Sequence, residues 1–496
     1  MNKKPNIVLI VLDTARAQNF SCYGYPRSTT PNIDAIAKEG TLFLNTITPS
    51  PWTLPSHAAI FTGMLPSKHG AHEKHKFLDG CHKTLPEVLK STGYYTCAIS
   101  NNSWVSPYFG FSKGFDIFFK LWQLFQYDSD PLPALRKRFL EERDARGIIL
   151  ELLRQGSFKT FANGLYKRFF YKKRYDCGAR RINRIVSHSL LNILGKKQPF
   201  FLFINYLETH LKYQAPEPYY GQFLPEGMNK GIASKVNQDA FKYIAGQVEM
   251  DRLDFEVLTA LYDGELAYLD FRIGELYSHL KGKGLLDDTL LIITSDHGEN
   301  LGEHNLMDHQ YCLYDTLLRV PLIVRYPGVF PAGEMVSTQV QLVDIFPTIM
   351  DILQTDDKEM SHELHGQSLL PHKLGDQERT FAVAEYLGPQ PAIEIMAKRY
   401  PGSERYLNKF NRSLFAIRTS SWKFIESSDG RNELYNIRDD PGEVNNLINT
   451  QPAKARELER TLKEWKESNN TRYIASEQKV IDGEVKKRLE ALGYFT

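Results

Sequence analysis

Residues 7–12 read Ile-Val-Leu-Ile-Val-Leu, an unbroken apolar run rich in β-branched side chains. A strand covered on both faces needs such a run, because neither side of its pleat meets water. Residues 200–206 and 290–294 have the same character. Helical spacing of apolar positions predicts helices over 31–39, 85–91, 181–194 and 260–279. Strands that alternate with helices imply an α/β fold around a mostly parallel sheet. In such sheets ligands gather beyond the carboxyl ends of the strands.

Each apolar run ends in groups that suit a metal or an anion. The first closes on Asp13, the second leads to Glu208-Thr209-His210, and the third to Ser295-Asp296-His297-Gly298-Glu299. One polar strand end is ordinary. Three that point to one sheet edge predict a site there.

Composition narrows the class. Of 496 residues, 42% are hydrophobic and 24% charged, which excludes a collagen, a disordered chain or a coiled-coil filament. The net charge of +2 supplies no global field for nucleic acid, so no nucleic-acid partner is expected. Cys22, Cys81, Cys97, Cys177 and Cys312 are scattered, with no CxxC pair, which is neither a disulfide framework nor a zinc ribbon. No stretch approaches the ~20 apolar residues of a membrane span. The apolar run behind Lys3-Lys4 is too short for a signal peptide. These features lead to the expectation of a cytoplasmic protein with no transmembrane segment.

Residues 120–185 stand apart, with 16 basic against 7 acidic residues. They read as a helical insertion. One reading is a solvated excursion whose side-chain stems pack on the body; the other is a basic platform, with membrane-surface contact through 158–184. Beyond residue 380 a smaller unit begins, with a hairpin from strands at 414–418 and 422–425 and a turn at Asp439-Asp440-Pro441-Gly442. Charged amphipathic helices over 452–470 and 478–492 close the chain. The expected organisation is a catalytic domain over 1–375, a small subdomain over 380–450 and C-terminal helices over 451–496.

The most informative stretch is 51–63, Pro-Trp-Thr-Leu-Pro-Ser-His-Ala-Ala-Ile-Phe-Thr-Gly. Pro55 suits the first turn of a helix and Gly63 its end, which places Thr53 just before a helix N-terminus. Unpaired amides and the positive dipole end favour an anion at that point.

With this motif in view, the chain resembles the sulfatase family of the alkaline phosphatase superfamily. The matching pieces are 6–16, 30–34, 53–63, 65–70, 261–270, 295–303, 318–328 and 434–447, in family order. The resemblance implies a three-layer α/β fold with a mostly parallel central sheet and a small C-terminal α+β subdomain. It implies that Asp13, Asp296 and His297 bind a metal and that Thr53 is the nucleophile and touches the same ion. His57 takes the position of an arginine that holds the nucleophile, His210 that of a histidine on the ester group, and His309 lies near a cationic leaving-group residue. Arg16 and Asn101 are assigned to the substrate, with bracing of the Asp13 loop as the equal alternative for Arg16. One divalent ion is expected, Mn, Zn, Mg or Ca; Glu208, His210 and His365 are the only trio considered for a second. His69, His72 and His75 read as structural, and Glu299 and Glu303 as supporting residues.

Two departures bear on the substrate. Sulfatases convert a cysteine or serine at the nucleophile position into formylglycine, and Thr53 cannot become an aldehyde by that route. The family's Gly-Lys-Trp-His segment is replaced here by Ser100-Asn101-Asn102-Ser103, so two sulfate-binding cations are absent. Both shift the expectation toward phosphoric mono- or diesters cleaved through a phosphothreonine. The alternatives are a sulfuric ester hydrolase working without formylglycine, a phospho-headgroup transferase and a non-catalytic anion-binding protein. The expected partner is an anionic ester: a small molecule, a glycan or a lipid headgroup.

Overall fold

The computed structural model describes residues 4–123, 176–191, 194, 198–355, 363–374, 379–389 and 391–469. Strands β1 (Asn6–Leu12), β2 (Thr41–Ile47), β3 (Tyr95–Ser100), β4 (Ile117–Lys120), β5 (Phe200–Tyr206), β6 (Thr289–Ser295), β9 (Arg319–Arg325) and β10 (Glu334–Gln341) form one sheet in the order β10-β2-β9-β6-β1-β5-β3-β4; β7 (Asn300–Leu301) and β8 (Met307–Asp308) pair outside it. The run β6-β1-β5-β3-β4 is parallel throughout, and β9 runs antiparallel to both its neighbours.

The three expected strands are the centre of this sheet. Every residue of β1, β5 and β6 is buried. Their alternate side chains feed two cores. Ile7, Leu9 and Val11 join the core under the Thr53–Thr62 and Leu85–Ser91 helices. Val8, Ile10 and Leu12 join the one under Pro31–Lys38 and Arg252–Gly282. Helix, sheet and helix make the three-layer α/β fold expected from the resemblance.

The helix expected over 260–279 spans Arg252–Gly282, 31 residues opened by a capping box in which Asp251 and Asp254 bond each other's amides. The helix expected over 181–194 is Ala179–Ile185, followed by a wider helical turn over Val186–Leu190. Residues 124–175, and with them most of the basic insertion and of the 158–184 surface, lie outside the described residues, as does the 478–492 helix. Among the described residues no helix is long and apolar enough to cross a membrane.

The smaller unit is an antiparallel sheet, β11 (Ala382–Tyr386), β12 (Leu414–Arg418), β13 (Lys423–Ser427) and β14 (Glu433–Tyr435), in that order. The expected hairpin is β12–β13. Ala455, Leu458 and Leu462 of the Pro452–Ser468 helix pack on Ile417, Phe424 and Leu434. On the other side Lys423, fully buried, bonds Asp315 at 2.5 Å and Glu443 at 2.6 Å, while Arg418 bonds Asp315 at 2.9 Å. This ionic cluster ties the small sheet to the start of the short helix Asp315–Leu318.

Candidate active site

Register brings the first ligand candidates together. Leu12 of β1 is level with Tyr206 of β5 and Ser295 of β6, so the next residues of all three strands emerge at one edge. Asp13 and Asp296 are those residues on β1 and β6. The chain then turns sharply: Thr14 has φ 58°, a left-handed conformation that costs a non-glycine residue on the order of 1 kcal/mol. The turn lets Thr14 N–H donate to Asp296 Oδ1 at 3.3 Å and Ala15 N–H donate to Ser295 Oγ at 2.9 Å. Gly298 follows His297 because a Cβ there would collide with the carbonyl of Thr316.

Thr53 comes from the other face. Trp52, in extended conformation, delivers it as the first residue of the Thr53–Thr62 helix rather than the residue before it. Gly63 ends the helix with φ 70°, as its position predicts. Thr53 Oγ1 lies 3.3 Å from His297 Nε2 and 3.4 Å from the Asn102 amide nitrogen. That same amide donates a short hydrogen bond to Asp13 Oδ2. One turn along, His57 Nδ1 donates to the Thr53 carbonyl at 2.9 Å and stands 3.4 Å from Asp296 Oδ2. His57 therefore holds the backbone of Thr53, not its hydroxyl. Burial lowers its pKa to about 4, so it is neutral at pH 7.

The trio Asp13, Asp296 and His297 fits a divalent ion. One ligand atom from each lies within 4.8 Å of the others, and all three residues are wholly buried. His297 Nδ1 donates to the Gly298 carbonyl at 2.9 Å, which leaves the lone pair on Nε2. Asp13 Oδ1 and Asp296 Oδ2 make no hydrogen bond among the described residues. Burial, then the neighbouring Asp296, pushes Asp13 well above the usual carboxylate range, and burial raises Asp296 to about 7. Two adjacent buried carboxylates with orphaned oxygens are stable as anions only beside a cation.

His210 and His309 complete the cluster. Their ring centroids are 5.2 Å apart, and His309 lies 4.5 Å from the ring of His297. His210 Nδ1 donates to the Leu211 carbonyl at 2.9 Å, and burial followed by the His309 charge lowers its pKa to about 4. His309 Nδ1 is 2.7 Å from Asp308 Oδ1 and 3.4 Å from Glu299 Oε1.

Other expected positions fall differently. Arg16 is 4% exposed and pairs with Glu303 at 2.5 Å. Asn101 turns away: its amide donates to the Cys177 carbonyl, and Asn102 occupies the place facing Asp13 and Thr53. Of the two residues, Asn102 is the one whose amide meets Asp13 and Thr53. Successive side chains leaving a strand point to opposite sides, and nothing in the dipeptide itself says which faces the site. The trio Glu208, His210 and His365 does not assemble, since His365 bonds Asn469 and packs on Trp465. His69 bonds the Pro55 carbonyl, and His72 and His75 pair through their backbones. The sequence reading missed Asn102 and Asp308; their adjacency to Asn101 and His309 was the available signal.

A three-layer sandwich with carboxylates and imidazoles gathered at the carboxyl edge of its sheet is the frame of a hydrolase acting on sulfuric or phosphoric esters, and comparison with known proteins agrees. The Sulfatase family model matches residues 5–355. The model for the C-terminal part of N-sulphoglucosamine sulphohydrolase matches 302–471. The chain belongs to the sulfatase family. It is 26% identical to an N-acetylglucosamine-6-O-sulfatase of Bacteroides thetaiotaomicron, over 94% of this chain and 88% of that protein. It is 26% identical to arylsulfatase K of Gallus gallus, over 93% and 82%. Among solved structures, a protein in complex with its substrate D-glucosamine-2-N,6-O-disulfate superposes with a TM-score of 0.69 at 21% identity, covering 94% of this chain and 98% of that one. The phosphonate monoester hydrolase of Agrobacterium radiobacter superposes with a TM-score of 0.67 at 21% identity, covering 94% and 96%.

Proposed function

We propose that this chain hydrolyses phosphoric mono- or diesters of an anionic glycan or small molecule through a covalent phosphothreonine at Thr53. The observation that carries the reading is a threonine hydroxyl, not a cysteine or serine, at a helix N-terminus 3.3 Å from His297. A divalent ion at Asp13, Asp296 and His297 would lower the hydroxyl's pKa and neutralise the non-bridging oxygens of the ester. The chain's own groups do the rest. The amides at the start of the Thr53–Thr62 helix favour the anionic group. Asn102 orients the hydroxyl and Asp13 together, and His57 holds the backbone that carries the nucleophile.

Thr53 Oγ1 forms a bond to phosphorus as the bond to the alcohol breaks. The departing oxygen gains a proton in exchange for the one lost by Thr53, with His210 and His309 as its hydrogen-bond partners. Water then attacks phosphorus, the P–Oγ1 bond breaks, and Thr53 recovers its proton. A sulfate adduct on Thr53 lacks the second hydroxyl by which a formylglycine hydrate expels sulfate, which is why phosphorus esters are favoured.

The second reading is sulfuric ester hydrolysis without formylglycine, favoured by the sulfatase names of the relatives. A phospho-group transferase is the same first step with an alcohol in place of water. Purified protein assayed with nitrophenyl phosphate, bis-nitrophenyl phosphate and nitrophenyl sulfate separates the readings. Phosphoester turnover with a phosphorylated Thr53 peptide in mass spectrometry is expected. Exclusive turnover of the sulfate, or full phosphatase activity in Thr53→Ala, overturns the proposal.

A further inference from the structure

Four carboxylates are buried in this cluster: Asp13, Asp296 and Glu299 at 0% exposure and Asp308 at 7%. Among the described residues no lysine or arginine forms an ion pair with any of them. Arg16, the nearby guanidinium, is engaged by Glu303. One divalent ion at Asp13, Asp296 and His297 balances two of the four charges. Glu299 and Asp308 remain.

These two converge on a third group. One ligand atom from each of Glu299, Asp308 and His309 lies within 4.8 Å of the others. His309 Nδ1 sits between the two carboxylates, at 2.7 Å from Asp308 and 3.4 Å from Glu299. The other oxygen of Glu299, Oε2, is buried and makes no hydrogen bond among the described residues. A buried carboxylate oxygen without a donor is a standing electrostatic cost that a cation removes.

We propose that Glu299, Asp308 and His309 form a second divalent-cation site beside the first, suited to Mn²⁺ or Zn²⁺. Two carboxylate oxygens and one imidazole nitrogen are the mixed donor set those ions accept. The site is held in place from outside. Asn300 Nδ2 donates to the Asp308 carbonyl at 2.8 Å, Thr316 Oγ1 donates to Asn300 Oδ1 at 2.7 Å, and β7 pairs with β8. A cation on Nδ1 leaves the ring proton of His309 on Nε2, so the imidazole remains a donor. The centroids of the His297 and His309 rings are 4.5 Å apart, so the two sites adjoin. Paired divalent ions stabilise both the attacking and the leaving oxygen of a phosphoryl group. The inference thereby deepens the phosphoester reading and rests on it for its role, though not for its existence.

The competing account is an imidazolium at His309 clamped by two carboxylates, with no ion. Metal stoichiometry separates them. Full-length protein is stripped with a chelator, reloaded with Mn²⁺ or Zn²⁺ alone, freed of unbound ion and analysed by mass spectrometry of the metal. Two equivalents per chain are expected for the wild type and one for Glu299→Gln, for His309→Lys and for Asp13→Asn. His309→Lys keeps a positive charge between the carboxylates, so its fold is preserved while the ligand is lost; circular dichroism checks this. A wild type that binds one equivalent, or a folded Glu299→Gln or His309→Lys protein that keeps two, overturns the site. One equivalent with an inactive Thr53→Ala sinks this inference alone. Two equivalents with a fully active Thr53→Ala sinks the nucleophile alone.

Discussion

The hydroxyl of Thr53 stands 3.3 Å from Nε2 of His297, across 244 residues of chain. Neither residue needs the other for its own element: Thr53 begins a helix and His297 follows a strand. Their approach brings a hydroxyl to the lone pair of an imidazole whose other nitrogen is occupied by Gly298. Replacing Thr53 by alanine removes the hydroxyl proposed to attack while its helix needs no side-chain cap. A fall in kcat of at least about 10³-fold is expected with little change in thermal stability, and Thr53→Ser should retain measurable turnover. Steady-state kinetics beside a melting curve check both.

Metal removal should act on stability as well as activity. Without a cation, Asp13 and Asp296 are two buried carboxyl groups with orphaned oxygens. An ion present at about 100 times its Kd stabilises by about 2.7 kcal/mol. The melting temperature should therefore fall on chelation and recover on adding a divalent ion. Asp13→Asn should blunt that response, and an unchanged melting temperature in the wild type counts against the ligand set.

Asn101 and Asn102 should part company in kinetics. Asn102 reaches Asp13 and Thr53, whereas Asn101 bonds the Cys177 carbonyl. Asn102→Ala is expected to lower kcat by about 10²-fold through a misplaced nucleophile. Asn101→Ala should leave kcat within about threefold and lower stability by about 1 kcal/mol. Equal kinetic loss in both variants contradicts this assignment.

His69 gives a pH dependence with a definite sign. It is wholly buried, and burial lowers its pKa to about 3 from an ordinary 6.5. Above pH 6.5 it is neutral folded or unfolded and contributes nothing to the slope. Below that value the unfolded chain takes up a proton that the folded one refuses. Stability is lost at about 1.4 kcal/mol per pH unit as pH falls from 6.5 toward 4. His69→Gln should reduce the pH slope of unfolding in that window by about one proton, read from denaturant titrations at several pH values.

Lys423 tests how the small sheet is attached. Its ammonium group is fully buried between Asp315 and Glu443. Lys423→Met leaves Glu443 buried without its cation, while Asp315 keeps Arg418, and should destabilise by about 3–5 kcal/mol. Lys423→Met combined with Asp315→Asn should lose less than the sum of the single changes, as a double-mutant cycle would show.

What could be read along the chain follows from local chemistry. The runs of β1, β5 and β6 are apolar because both faces of those strands are covered, and that requirement is visible without knowing the partners. Pro55 and Gly63 bracket the Thr53–Thr62 helix for reasons confined to its own backbone. Strand β9 was not legible, since it begins and ends in arginine and its partners β2 and β6 are remote in sequence. The Arg252–Gly282 helix was read short because it buries different faces along its length. Val257, Leu258 and Leu261 pack among the loops near β8, while Leu266, Leu269 and Ile273 pack on the sheet. A single apolar stripe cannot describe both halves.

The chain's local order was enough to specify the layers, the strand ends and the residue types held at them, because burial and capping act over a few residues. Which of those ends meet depends on register and on the hand of each turn. The level alignment of Leu12 with Ser295 sets Asp13 beside Asp296, and the orientation of the loop after β3 selects Asn102 over Asn101. The pairing of β7 with β8 presents Asp308 and His309 to Glu299. Those are long-range geometric facts, and no periodicity or short motif encodes them, because each depends on contacts between segments that share no neighbours in the sequence.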